Sequence, residues 1–168
     1  MDIDIDQNPA LHAGARNMTE APIRHRHSAF RIAGLTARTT NRDEKAPATA
    51  RIGALWNRFF AEERYASTPH RTADLRLFGV YSAYASDADG AFDVTVGVEV
   101  SQGDASVAVE AGDYLVFSGQ GDMPQLVIST WQRVWQYFAA HPEVARRYRS
   151  DFEAYEGPDK VSIHIGIA

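Results

Sequence analysis

The sequence predicts an α+β fold. Two βαββ units related by a pseudo-twofold axis form an antiparallel sheet, with helices packed on one face and a central ligand cleft. Three observations carry that expectation. Two stretches of the chain repeat each other, and each half has one helical hydrophobic period followed by two runs of period two. The third is size: 168 residues, 45% of them hydrophobic, suffice for one sizeable core and favour a single domain over two.

The first copy reads Ala33-Gly34-Leu35, Leu55-Trp56-Asn57-Arg58-Phe59, Tyr81-Ser82-Ala83-Tyr84 and Val94-Thr95-Val96-Gly97-Val98. The second reads Ala111-Gly112-Asp113, Val134-Trp135-Gln136-Tyr137-Phe138, Phe152-Glu153-Ala154-Tyr155 and Val161-Ser162-Ile163-His164-Ile165. The glycine-to-tryptophan spacing is nearly equal in the two copies. Glu153 stands in the second copy where the first has Ser82, an acidic intruder on a predicted strand.

Residues 1–28 alternate Asp and Ile, then carry Pro9, Gly14, Pro22 and the run Arg24-His25-Arg26-His27. This composition predicts a mobile arm ahead of a domain spanning 29–168. His25 and His27 are two imidazoles in a polar tail without further ligands, which does not make a metal site. Residues 29–39 suit a strand broken at Gly34. Over 48–63 the residues Ile52, Leu55, Trp56, Phe59 and Phe60 recur at helical spacing, and Arg51, Asn57, Arg58 and Glu62 take the other side. Residues 75–84 and 92–100 read as a hairpin. Its turn at Asp87, Asp89 and Gly90 resembles the start of a calcium loop but lacks the distal glutamate.

In the second half, residues 107–119 read as one strand carrying Gly112. A helix over 124–140 buries Leu126, Ile128, Trp131, Val134, Trp135 and Phe138, and stops at His141-Pro142. A short basic helix over 143–149 leads to a last hairpin, 151–156 and 161–167, turned at Gly157-Pro158-Asp159.

Strand alternation sorts the side chains. Val94, Val96, Val98 and Val100 share one face, as do Val161, Ile163, Ile165 and Ile167, and these faces should pack on the helices. The opposite surface then carries Gly97, Glu99, Ser162, His164 and Gly166, small enough to admit a ligand. Glu153 shares a side with Tyr155, and Ser82 with Tyr84, so a pseudo-twofold axis would set Tyr84 and Tyr155 across from each other near Glu153. A carboxylate framed by aromatics attracts organic cations through charge and through the negative ring faces. Glu99 would add a second carboxylate, and His164 is a candidate base or a structural donor.

The net charge of −5 argues against a surface that grips nucleic acid, so no direct nucleic acid binding is expected. The chain has no cysteine, and no leader or long apolar run is read in it, so a cytoplasmic protein without membrane association is expected. No cofactor is expected either.

The segments FRIAGLTART, ARIGALWNRFF, GVYSAYASDADGAFDVTVGVEV, VEAGDYLVFSGQG, STWQRVWQYF and RRYRSDFEAYE resemble, in order, the GyrI-like effector-binding domain. They most resemble its integron-associated branch of standalone proteins, related to the effector domains of AraC-type regulators. The match runs from about Phe30 to Ile167. The resemblance implies a duplicated βαββ fold whose cleft binds small molecules, often bulky aromatic cations, with Glu153 as the acidic anchor and Tyr84, Trp131 and Tyr155 as walls. Many relatives carry a helix-turn-helix region ahead of this domain. A 28-residue arm is too short to fold as one, so a role in transcription would need a DNA-binding protein partner. Two other readings stay open: a hydrolase of strained electrophilic compounds using Glu153, since some GyrI-like proteins resemble such enzymes, and a cleft filled by the chain's own arm through Arg24 and Arg26.

Overall fold

The computed structural model describes residues 21–168, so the alternation at Asp2, Asp4 and Asp6 and the first part of the expected arm lie outside the described residues. The elements are β1 (Ile23–His27), β2 (Phe30–Thr39), α1 (Asn41–Glu44), α2 (Ile52–Ala61), α3 (Arg64–Ser67), β3 (Leu77–Ser82), β4 (Phe92–Val100), β5 (Val107–Val109), β6 (Gly112–Gln120), α4 (Gln125–Ala140), β7 (Ser150–Tyr155) and β8 (Lys160–Gly166). The eight strands of the described residues join one antiparallel sheet in the order β1-β6-β8-β7-β3-β4-β2-β5. The βαββ units β2-α2-β3-β4 and β6-α4-β7-β8 therefore sit side by side, and β3 and β7 form the seam between them.

Register explains why the two faces differ. One row across the sheet runs Leu35, Val96, Gly79, Glu153, Ile163, Phe117; the next runs Thr36, Thr95, Val80, Phe152, His164, Val116. Successive rows point to opposite faces. The first row faces the helices. There, Val94, Val96 and Val98 pack with Leu55 and Phe59 of α2, and Phe117, Ile163 and Ile165 pack with Leu126 and Val134 of α4. Phe59 is fully buried, and its truncation to alanine costs about 3–5 kcal/mol. The far face has its own core of Ile32, Phe78, Val80, Val109, Tyr114, Phe152 and Ala154.

The start of α2 is held from outside. Glu44 accepts from the backbone N–H of Arg51 at 2.8 Å and of Ile52 at 3.4 Å, which satisfies orphan donors and places negative charge at a helix N-terminus.

Four expectations are corrected. Residues 23–27 are not arm but an edge strand on β6, where Arg24 pairs with Asp113 at 2.6 Å rather than entering a cleft. The stretch read as one strand over 107–119 is two, β5 on β2 and β6 on β8, because Gly112 at φ +146° redirects the chain. Residues 143–149 are not helical: Tyr148 takes φ 52°, and Arg146 and Arg147 turn inward toward Asp151 and the Ala111 carbonyl. Along α4, Ile128 and Trp135 are exposed, at 45% and 44%, so the buried stripe runs through Leu126, Thr130 and Val134.

Candidate functional site

Glu153 lies on β7 at the seam, 3% exposed, beneath the two long helices. Its neighbour across the ladder is Gly79 of β3, and a Cβ there would stand 2.7 Å from Glu153 Oε1 and 3.5 Å from the Trp56 ring. The missing side chain is the space the carboxylate occupies. Three donors converge on it. Tyr81 OH and Trp131 Nε1 donate to Oε2 at 2.8 and 2.7 Å, and Tyr155 OH donates to Oε1 at 2.8 Å. All three donors are neutral. Burial raises the carboxyl pKa above its ordinary value, while the bonds from Trp131, Tyr81 and Tyr155 pull it back.

Above the carboxylate, Trp56 of α2 meets Tyr155 edge-on at 5.4 Å between ring centroids, and Trp131 of α4 meets Tyr81 at 5.1 Å. Trp56 and Tyr155 also line a cleft of about 910 Å³ between the helices, whose walls include Phe60, Tyr65, Leu77, Met123 and Val127. Phe60 is 48% exposed because it borders this opening. The carboxylate thus sits directly behind an aromatic wall.

Of the residues singled out in the sequence, Glu153, Trp131 and Tyr155 are brought together, and the other three are not. Tyr84 donates to Asp151 Oδ2 at 2.6 Å. Strand β3 ends at Ser82 and Ala83 takes φ 49°, so alternation does not extend to Tyr84. The presumed counterpart Ser82 pairs with Ser150 and faces away from Glu153, so the repeat is displaced by one residue there; Tyr81 is the first-half residue that meets the carboxylate. Glu99 and His164 lie on the far face. His164 bonds His27 Nε2 at 2.8 Å and Ser162 Oγ at 2.9 Å and stacks on Phe152. Burial and the neighbouring His27 and Arg76 push its pKa down to about 3. Glu99 is raised by burial and by Asp74. The cleft itself is on the helix face, not on the opposite surface that the sequence suggested. Gly97 makes no ligand room either: a Cβ on it would lie 2.2 Å from the Ala33 carbonyl oxygen, so its bareness admits the neighbouring strand.

Sequence reasoning missed Tyr81, Trp56 and Gly79. The signal was present: Leu77, Gly79 and Tyr81 alternate with Phe78 and Val80, and counting from Gly79 rather than Ser82 selects the correct face.

The sequence signature of the Cass2 family, integron-associated effector binding protein, matches residues 26–167. The chain belongs to this family. Among solved structures, an integron cassette protein from the mobile metagenome of Vibrio cholerae is 35% identical, covering 89% of this chain and 97% of its own, with a TM-score of 0.75. YobU of Bacillus subtilis (strain 168), named as a candidate transcriptional regulator, is 27% identical over 149 residues, covering 82% of this chain and 91% of its own. The structure of SAV2435 bound to tetraphenylphosphonium shares the fold at 15% identity, covering 89% of this chain and 94% of that one, with a TM-score of 0.71. This member of the effector-binding family therefore has the duplicated α+β architecture that the sequence predicted. No helix among its described residues is long and apolar enough to cross a membrane.

Proposed function

We propose that this effector-binding protein takes up hydrophobic, cationic aromatic molecules in the cleft between α2 and α4, with Glu153 as the charge anchor. One observation carries the proposal: a nearly fully buried carboxylate held by three neutral donors, with no cationic side chain paired to it among the described residues, behind rings that line an open cleft. Removing a carboxylate from water is costly, and neutral hydrogen bonds offset only part of that cost. A lipophilic cation supplies the missing charge, and the rings of Trp56 and Tyr155, which line the cleft, attract it. An anion of the same shape meets the same walls and the opposite sign. Charge selectivity follows without detailed polar recognition.

The tetraphenylphosphonium held by the distant fold relative SAV2435 belongs to this ligand class, which supports the reading. Since YobU is named as a candidate regulator, the biological setting we favour is effector sensing through a DNA-binding partner protein, with ligand sequestration as the simpler variant.

The test uses tetraphenylphosphonium and tetraphenylborate, a cation and an anion of one shape. Titration followed by tryptophan fluorescence and calorimetry should show saturable binding of the phosphonium and at least tenfold weaker binding of the borate. Glu153→Gln should cost the cation about 2–5 kcal/mol, the range for truncating one partner of a buried charge pair. Equal affinity for the two ions, or unchanged phosphonium affinity in Glu153→Gln, sinks the proposal.

A further inference from the structure

The cleft holds a second charge that a simple cation leaves unanswered. Among the described residues, Arg71 is the one charged residue in the cleft lining. Its position is set by the backbone: it bridges Val100 across the ladder, and the next residue, Thr72, donates its N–H to the Glu99 carbonyl at 3.0 Å. The guanidinium is aimed by two main-chain carbonyls, Nη1 donating to Tyr65 and Nη2 to Leu75, the latter at 3.1 Å. Its Nε is buried without a hydrogen-bond partner, and no carboxylate pairs with Arg71 among the described residues. A guanidinium has five N–H donors in a fixed fork, so two carbonyl bonds leave most of it unspent.

Two complementary vacancies in charge thus belong to one cleft. Glu153 lacks a cation, and Arg71 lacks an anion. Tyr155 and Trp56 join them, since both line the cleft that Arg71 also lines, Tyr155 bonds the carboxylate, and Trp56 lies beside the gap at Gly79 that the carboxylate fills. A ligand with only positive charge satisfies the first vacancy and is repelled by the second. A ligand bearing a cationic aromatic system and, at its other end, a carboxylate or comparable strong acceptor satisfies both. We infer that the ligands this cleft prefers are amphoteric: lipophilic cations that also carry an anionic or strongly accepting group, which Arg71 binds. This inference rests on the proposed function and narrows its ligand class.

The experiment compares rhodamine B, a xanthylium cation with a free carboxylate at neutral pH, with its ethyl ester, the same cation with the carboxylate masked. Fluorescence anisotropy on the full chain should give the wild type at least a tenfold preference for rhodamine B, the gain expected of charge-assisted hydrogen bonds. Arg71→Met should erase that preference by weakening rhodamine B on the order of tenfold while leaving the ester's affinity unchanged or raised. Arg71→Lys, which keeps the charge and loses the fork, should fall between them. Glu153→Gln should weaken both dyes together. A wild type that binds the ester as tightly as rhodamine B overturns the inference without recourse to any variant, and so does an Arg71→Met that weakens both dyes equally or neither. Binding of both dyes that ignores Glu153→Gln overturns instead the anchoring role of Glu153, and binding of neither dye overturns the cleft reading together with this one.

Discussion

Asp151 and Glu153 stand two residues apart on the same strand and the same face, 0% and 3% exposed, and their surroundings differ in one respect. Asp151 is neutralised from within the chain. Its Oδ2 accepts from Arg146 at 2.9 Å and from Tyr84 at 2.6 Å, and its Oδ1 accepts from the Gly166 N–H at 2.8 Å. Arg146 is itself buried and lies 4.4 Å from the Tyr148 ring centroid. Glu153 has three donors as well, but none carries a charge. Burial alone therefore does not distinguish the two acids. What does is that Glu153 lacks a counter-charge among the described residues and lies behind a wall that opens on a cleft.

The contrast can be broken most directly through stability. Asp151→Asn leaves Arg146 buried and unpaired, and urea denaturation should register a loss of about 3–5 kcal/mol. Glu153→Gln should cost less than about 1 kcal/mol, because it removes a buried charge that nothing in the chain neutralises. If the two substitutions cost the same, the distinction drawn between these carboxylates is wrong.

Gly79 offers the next largest effect. A methyl group at that position should cost roughly 1–3 kcal/mol in stability, since Glu153 Oε1 stands only 2.7 Å from where it would sit. Placed in a Glu153→Ala background, the same Gly79→Ala change should cost under about 0.5 kcal/mol, as the obstructing atom is gone. Equal costs in the two backgrounds would separate the glycine from the carboxylate.

A smaller effect is expected from Tyr81→Phe. Removing one of three donors should destabilise the protein by about 1 kcal/mol and raise the Glu153 pKa further, detectable by carboxyl NMR titration. A lowered pKa would contradict the role assigned to Tyr81.

The far face and the seam respond to pH in opposite directions. Burial lowers His27 to about 4 and His164 to about 3, each from an ordinary 6.5. Between those values the unfolded chain binds more protons than the folded one, so the stability these groups contribute is complete above about 6.5 and is lost as the pH falls through 4 toward 3. Glu153 works in the opposite sense: its raised value makes the folded protein gain stability as the pH falls toward 4.5. Urea midpoints measured between pH 7 and 4 should fall more gently in His27→Gln, and more steeply in Glu153→Gln, than in the parent.

Much of this was legible in the chain. The duplicated units, the apolar faces of β4 and β8 and the helices α2 and α4 follow from period alone, and Glu153, Trp131 and Tyr155 were named from the residues and the family resemblance together. What could not be read was phase. Ser82 and Tyr81 are one residue apart, and a shift of one moves a side chain through the sheet. Repeat similarity aligned Ser82 with Glu153, yet the ladder aligns Ser82 with Ser150 and places Gly79 beside the glutamate. His164 misled for a related reason. It does share a face with Ser162, but that face is closed by Phe78, Phe152 and Tyr114 and edged by β1, whose alternating arginines and histidines carry no apolar period that would mark a strand. Arg71 was invisible because its isolation is a property of which carbonyls and carboxylates surround it in space.

The tyrosines at and just beyond the end of β3 reach across the seam, Tyr81 to Glu153 and Tyr84 to Asp151, so both carboxylates of β7 are held by the other repeat. The two halves are consequently fastened at the same place where the proposed site lies. A bound cation that pairs with Glu153 would offset the desolvation cost carried at that seam, and in hydrogen exchange the β3–β7 amides should then slow before those of the outer strands β1 and β5. Occupancy of the cleft would then be readable as the rigidity of one strand pair, a mechanical output that a partner protein could sense without touching the ligand.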